Sequence, residues 1–349
     1  MLAGHWIYPR FRACAEPRGG LNTNIGMVLL RSISELASVP GPIVLAIGVF
    51  DGLHLGHRAV LERARSEAAS RGGTALALSF DPHPARILRP ELAPRLLTAT
   101  EHKIRLLEEL GFTHTLLLTF DQTLAAMDAD DFIRSLAHYA QPLAAICVGH
   151  QWSFGKARKG NLERLAQLGS ALQFVEIGVE EVQIEGTPVS STRIRNALIA
   201  GDLSLASHLL GRPYTVLGNV QHGRELGRTL GFPTANLSLF SEQLPPNGVY
   251  AVRVSQADER CPRLSHWASV ANLGTRPTVT TDSGAPSQPS EPLLEVHLLE
   301  FSSDLYGRTL EVEFVEFLRP EKRFDSLDAL RAQIATDARE AARLLATRH

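Results

Sequence analysis

The stretch "GVFDGLHLGH", residues 48–57, overlaps the end of the apolar run "IVLAIGVF", residues 43–50, and decides how the chain is read. A continuously apolar run of this length reads as a buried strand, and the amphipathic "HRAVLERARSEAAS" behind it, residues 57–70, reads as a helix. The decapeptide is then a strand-to-helix turn. A helix start exposes unpaired backbone N–H groups and the equivalent of about half a positive charge, so it attracts phosphate. Gly56 lets a ligand approach that backbone closely, and His54 and His57 bring two further donors. Two other readings stand beside this one. The histidines could bond only within the turn, or hold a metal, although the neighbourhood offers no evident third and fourth ligand.

Outward from the turn, "TALALSF" (74–80), "THTLLLTF" (113–120) and "AAICVGH" (144–150) read as further buried strands. Between them "ATEHKIRLLEELG" (99–111), "DADDFIRSLAHY" (128–139) and "NLERLAQLGSAL" (161–172) read as helices. Apolar runs separated by helices predict an α/β unit, a parallel sheet covered on both faces. Ligands of such sheets gather at the carboxyl ends of the strands, where the opening decapeptide lies.

The texture changes at about residue 213, after the two short helices read in "SSTRIRNALIAGDLSLASHLLGRP" (190–213). "YTVLGNV", "GVYAVRVS", "HWASVANLG", "LLEVHLLEF" and "TLEVEFVEFL" follow without intervening helices, which predicts an antiparallel sheet or small barrel. A last helix, "SLDALRAQIATDAREAARLL" (326–345), closes the chain with Asp325 or Ser326 as N-cap. Residues 280–292, "TTDSGAPSQPSEP", read as a polar loop.

A chain of 349 residues has room for two ordinary domains. Its 35 Lys and Arg against 37 Asp and Glu leave no global charge that would draw nucleic acid or a membrane surface, so neither is expected as a partner. The three cysteines, Cys14, Cys147 and Cys261, are too scattered for a metal site or disulfide framework and read as buried thiols of a reducing compartment. No apolar run approaches the roughly 20 residues of a membrane helix, and no secretory signal stands at the start. The expectation is a soluble, cytoplasmic protein; self-association is left open.

"SSTRIR", residues 190–195, supplies two serines, a threonine and two arginines at a helix start, a donor set suited to phosphate oxygens. Alone it could be a capped helix with solvated arginines. Together with the 48–57 turn at one sheet edge, it argues for a nucleotide triphosphate held between them. "GHQWSFGKA" (149–157) mimics a P-loop, but has five residues between its glycines and Ala157 where the magnesium hydroxyl belongs, so it is not read as one. In "GNVQHGRELGRTLGFPTANL" (218–237), glycines including Gly223 fit a loop against phosphates better than a helix, given Pro233. Period-2 alternation in "LLEVHLLEF" puts Glu295 and His297 on one strand face, whether as site groups or as a solvated edge.

In order, "GVFDGLHLGH", "SFDPHP", "VGHQWSFG", "SSTRIR", "GRTLGFPTANL", "NGVYAV", "ANLGTRPT", "LEVHLLEF" and "LRPEKRF" resemble the bacterial bifunctional riboflavin kinase/FAD synthetases from about residue 27 to the end. The resemblance implies a Rossmann-like FMN adenylyltransferase module over 27–205 and a six-stranded β-barrel riboflavin kinase module over 206–349, behind a disordered or spurious extension over 1–26. It implies ATP, riboflavin and FMN as substrates, FAD as product and Mg2+ as cofactor. By the same likeness Gly48, Phe50, Asp51, Gly56, Ser191, Thr192 and Arg195 join His54 and His57 around ATP, and Phe80, Pro82 and Pro84 wall the flavin. In the kinase, Gly223, Thr234 and Asn236 meet the phosphates, Thr234 and Asn236 also the metal, Glu295 is the general base, and Asn272 and Arg319 are pocket residues. Gln151 and Trp152 depart from the family pattern, which takes an acid or amide and a phenylalanine there. A synthetase-like RNA enzyme lacks its second signature here, a single-activity adenylyltransferase leaves "GFPTAN" and Glu295 unexplained, and an inactive flavin-binding scaffold would not need every motif residue.

Overall fold

The structure, a computed structural model, describes residues 26–222, 230–240, 243–257, 265–275 and 292–347. Gly223, Cys14, Cys261, the extension up to residue 25 and the loop over 280–291 lie outside the described residues.

Six parallel strands, β1 (Val28–Leu30), β2 (Ile43–Ile47), β3 (Thr74–Asp81), β4 (His114–Thr119), β5 (Leu143–Gly149) and β6 (Val175–Val179), form one sheet in the order β1-β4-β3-β2-β5-β6. The helices are α1 (Leu55–Ser70), α2 (Pro84–Leu88), α3 (Thr100–Glu109), α4 (Gln122–Ala126), α5 (Ala129–Tyr139) and α6 (Leu162–Leu172). Alternation along the strands sorts the core. Val44, Ala46, Ala77, Ala145 and Cys147 meet α1 and α3 on one face, while Leu45, Leu76, Leu116 and Ile146 meet α5 and α6 on the other. Cys147 is a buried thiol, as expected, and burial pushes it up to about 12.

Strand order reverses between β2 and β5, and the loop after β2 carries "GVFDGLH" at that switch point, where open α/β sheets collect ligands. The strand expected over 43–50 stops at Ile47, because Phe50 already has a left-handed backbone.

A small hairpin of β7 (Gln183–Ile184) and β8 (Thr187–Pro188) leads into α7 (Ser191–Ile199) and α8 (Leu203–Leu210). Strands β9 (Thr215–Gln221), β10 (Ala235–Leu239), β11 (Gly248–Gln256), β12 (Trp267–Thr275), β13 (Pro292–Leu298) and β14 (Thr309–Arg319) then close an antiparallel barrel in the order β10-β13-β12-β11-β14-β9. Its interior holds Val216, Leu237, Val252, Leu294, Val296, Val312 and Phe314, in a core continuous with Ile194, Leu209, Leu210 and Leu97. Helix α9 (Leu327–Thr347) covers one outer flank through Ala341 and Leu345, and the Ser326 hydroxyl accepts from Ala329 N–H at its start.

Two candidate active sites

After β2 the chain turns through Phe50 (φ 51°), Gly52 (φ 85°) and Leu53 (φ 41°). Left-handed backbone costs non-glycine residues on the order of 1–3 kcal/mol each and persists only where neighbours fix it. Those neighbours are explicit. Val49 O accepts from Lys103 Nζ at 2.8 Å and Ser79 Oγ at 2.9 Å. Gly52 N–H donates to Thr98 Oγ1 at 3.0 Å, and Gly52 O accepts from Arg212 Nη2 at 3.1 Å. Asp51, 2% exposed, accepts at Oδ1 from Leu97 N–H at 2.9 Å and Thr98 N–H at 3.1 Å, and at Oδ2 from the Arg195 guanidinium.

His54 is the N-cap of α1, and its Nδ1 accepts from His57 N–H at 3.3 Å. A neutral ring that accepts at Nδ1 carries its proton on Nε2, which remains a donor for a ligand. The two imidazoles stack with centroids 3.6 Å apart, and Phe50 meets His57 edge-on at 5.5 Å. Burial, then the charge of Arg195, pushes His54 down to about 4. Burial, then His54 and Lys103, holds His57 well below its usual range, so both rings are neutral at pH 7. A Cβ on residue 56 would lie 3.2 Å from the His54 ring, so Gly56 is what lets the ring fold over the helix start. Among the described residues there is no group of three or more His, Cys, Asp or Glu placed to hold a metal.

The start of α7 meets the same loop. Ser190 caps the helix by accepting from Arg193 N–H at 3.2 Å, and Ser191 Oγ donates to Asp51 O at 2.9 Å. Two helix N-termini therefore converge on one loop, with Thr192 exposed beside them. The arginines are engaged within the fold. Arg193 Nη1 donates to Ile184 O and Thr187 O, both at 3.1 Å, while Arg195 pairs with Asp51 and donates from Nε to Arg95 O at 2.6 Å.

"SFDPHP" leaves the end of β3. Phe80 packs edge-on to Phe120 at 5.7 Å, Thr100 Oγ1 donates to Asp81 Oδ1 at 3.0 Å, and Pro84 starts α2 under a cap from His83. Burial lowers His83, with the charge of Asp51 opposing it. "GHQWSFGKA" forms a turn in which Trp152 stacks on Phe154 at 4.3 Å and a single 3-10 turn, Lys156–Arg158, replaces a P-loop helix.

On the barrel, Asn236 of β10, Glu295 of β13 and Asn272 of β12 are register partners in sequence across three neighbouring strands. Register partners share a face with strands about 4.8 Å apart, so the three form one row. The face is the outer one, since Leu294, Val296 and Leu298 point into the core. His297, two residues on, holds Pro233 O from Nδ1 at 2.8 Å, which places Thr234 beside the row. Asn272 Nδ2 donates to Glu321 Oε1 at 3.3 Å. Arg319 is directed elsewhere: Nε and Nη2 hold Asp337 of α9 at 3.1 Å and 2.7 Å, and Nη1 donates to Pro320 O at 3.0 Å.

The sequence pattern of the riboflavin kinase family (Flavokinase) matches residues 210–345, and that of FAD synthetase matches residues 37–193. A bifunctional riboflavin kinase/FMN adenylyltransferase of Escherichia coli (strain K12) is 40% identical over 312 residues, 89% of this chain and 96% of the relative. The chain belongs to the bifunctional riboflavin kinase/FMN adenylyltransferase family. The member from Pseudomonas fluorescens is 39% identical over 320 residues, 92% of this chain and 98% of its own. A crystal structure described as a macrolide-efflux protein from Streptococcus pneumoniae superposes with a TM-score of 0.73 at 27% identity, over 91% of this chain and 99% of that one. Among the described residues no helix is long and apolar enough to cross a membrane. As a member of the family the chain phosphorylates riboflavin to FMN and adenylylates FMN to FAD, with ATP as donor in both. The kinase match sets aside the single-activity adenylyltransferase.

Sequence reasoning missed Lys103, His83, Arg212 and Glu321 at these two sites. Lys103 stands in the helix read over 99–111, and it is 6% exposed beneath the loop. Its only signal was an apolar stripe that includes its neighbours.

Proposed function

We propose that adenylyl transfer occurs where the starts of α1 and α7 converge, and riboflavin phosphorylation on the outer row Asn236–Glu295–Asn272. The module division is taken near residues 205 and 206, and the cytoplasm is the compartment that its ATP supply and reduced thiols suit.

In adenylyl transfer a phosphate oxygen of FMN attacks the α-phosphorus of ATP, and pyrophosphate leaves. The nucleophile is already an anion, so alignment and charge neutralisation carry the rate. His54 and His57 donate as neutral imidazoles, Ser191, Thr192 and the helix starts add further donors, and Gly48, Phe50 and Gly56 shape the floor. Asp51 and Arg195 act by holding the loop. Phe80, Pro82 and Pro84 offer a stiff apolar wall for the flavin ring.

In the kinase the nucleophile is the 5′-hydroxyl of riboflavin, a neutral alcohol. Glu295 accepts its proton as the oxygen attacks the γ-phosphorus and ADP leaves. Thr234 and Asn236 are oxygen donors of the kind a hard cation takes, and with no acidic cluster among the described residues the other ligands of Mg2+ would be ATP oxygens and water. Bound there, the cation would neutralise phosphate charge.

The observation that carries this reading is the register that aligns Glu295 between Asn272 and Asn236, the asparagine of "PTAN". The test separates flavins by chromatography after incubation with riboflavin, ATP and magnesium. Glu295→Gln is expected to stop FMN formation while still converting added FMN to FAD. His57→Ala is expected to accumulate FMN, with adenylylation down about 10²- to 10³-fold. Phosphorylation at the parent rate in Glu295→Gln, or adenylylation at the parent rate in His57→Ala, overturns the respective assignment.

A further inference from the structure

The left-handed turn that carries Asp51, Gly52 and Leu53 is tied down by nearby groups, Ser79 of β3, Lys103 of α3 and Thr98 of the loop before α3, and by one guanidinium from well beyond them. Arg212 follows α8 and precedes β9, and its Nη2 donates to Gly52 O at 3.1 Å. The contact is reciprocal, since Arg58 Nη1 of α1 reaches Gly211 O at 3.5 Å and Leu55 packs where a Cβ on residue 211 would stand. The next residues extend the brace. Tyr214, 1% exposed, donates its hydroxyl to Gln243 O at 2.5 Å and lies 3.3 Å from Leu97 O, and Gln243 N–H donates to Leu96 O at 2.9 Å. Leu97 and Thr98 in turn hold the Asp51 carboxylate.

We infer that Arg212, with Tyr214 behind it, is a positioning residue for adenylyl transfer, supplied by the part of the chain that builds the kinase. It touches no reacting atom. It fixes the carbonyl of a residue at φ 85°, two positions before the imidazole of His54, and so sets the angle at which α1 presents its first turn. Small displacements of aligned donors, of about 1 Å, cost up to 10²-fold in rate.

This rests on the reading of the 48–57 loop as the adenylyl-transfer site, and the two can fail separately. In the full-length protein, Arg212→Met is expected to lower kcat for FMN adenylylation about 10- to 100-fold, with riboflavin phosphorylation in the same preparation within about two-fold of the parent. Arg212→Lys, which retains a donor, is expected to recover part of the loss. Tyr214→Phe deletes a single hydroxyl and provides the same comparison if Arg212→Met does not fold. Parent-like adenylylation in Arg212→Met alongside a crippled His57→Ala overturns the positioning role alone. A parent-like His57→Ala overturns the site reading. Equal loss of both activities with a lowered Tm overturns positioning in favour of plain structural support.

Discussion

His54 does two jobs with its two nitrogens. Nδ1 closes the first turn of α1, and the proton must then sit on Nε2, which is left as a donor. That division works only while the ring is neutral, which burial and the nearby Arg195 charge secure by pushing it down to about 4. The folded state resists protonation that the unfolded chain accepts near pH 6.5, so stability falls as pH drops from about 6.5 to about 4. The contribution is of order 3 kcal/mol over that window. Denaturant melts across it should show the decline, and His54→Asn, which keeps a capping side chain, should flatten part of the slope; an unchanged slope would mean that other groups carry it. At this scale the sequence was half legible. The HxGH pair and Glu295 stood out by residue type and spacing. Lys103 and Arg212 did not, because their importance comes from where a distant carbonyl points, which no local pattern encodes.

Elements explain why those side chains stay where they are. The stretch from Leu96 to Thr98 runs alongside the loop after β2, and Asp51 fastens the two while also pairing with Arg195 of α7. Asp51→Asn keeps acceptors for the backbone amides but leaves a largely buried guanidinium without its counter-charge. Breaking a buried pair by removing one partner costs about 3–5 kcal/mol, and a loss of that size is expected by chemical denaturation. A change under about 1 kcal/mol would show that Arg195 finds water instead. Most strands and helices follow the periodicity, and Ser326 takes the cap where two candidates stood. The strands without a sequence signal have physical reasons. β1 is three residues at a sheet edge, β6 is a partly exposed edge strand carrying Glu176 and Gly178, and β10 emerges from a segment read for its glycines.

At the scale of the whole molecule, α3 lies against both the parallel sheet and the barrel. His102, fully buried, faces Thr215 Oγ1 at 3.2 Å and Glu311 at 3.4 Å, and Arg105 pairs with Glu311 at 3.0 Å. Burial keeps His102 neutral, so it serves Glu311 as a hydrogen-bond donor and Arg105 supplies the charge. Burial alone would raise Glu311, but the His102 bond and the neighbouring charges outweigh it and hold the carboxyl at about 2. Its stabilisation is therefore complete above about pH 4.5 and is lost as pH falls toward about 2. Glu311→Gln should lower stability at neutral pH by roughly 1.5–3 kcal/mol and flatten acid unfolding below pH 4.5. An acid limb identical to the parent would place the sensitivity in other carboxylates. The two-part organisation was legible from the change of texture near residue 213, whereas this buried polar seam was not, since each half of it reads as an ordinary solvated face.

The clasp between Arg212 and Gly52 bears on how such a chain can be cut and rejoined. A splice at the end of α8 would sever the turn from its distal anchor, so a chimaera that borrows the nucleotidyl half should carry Gly211 to Tyr214, together with a substitute for Gln243, across the junction.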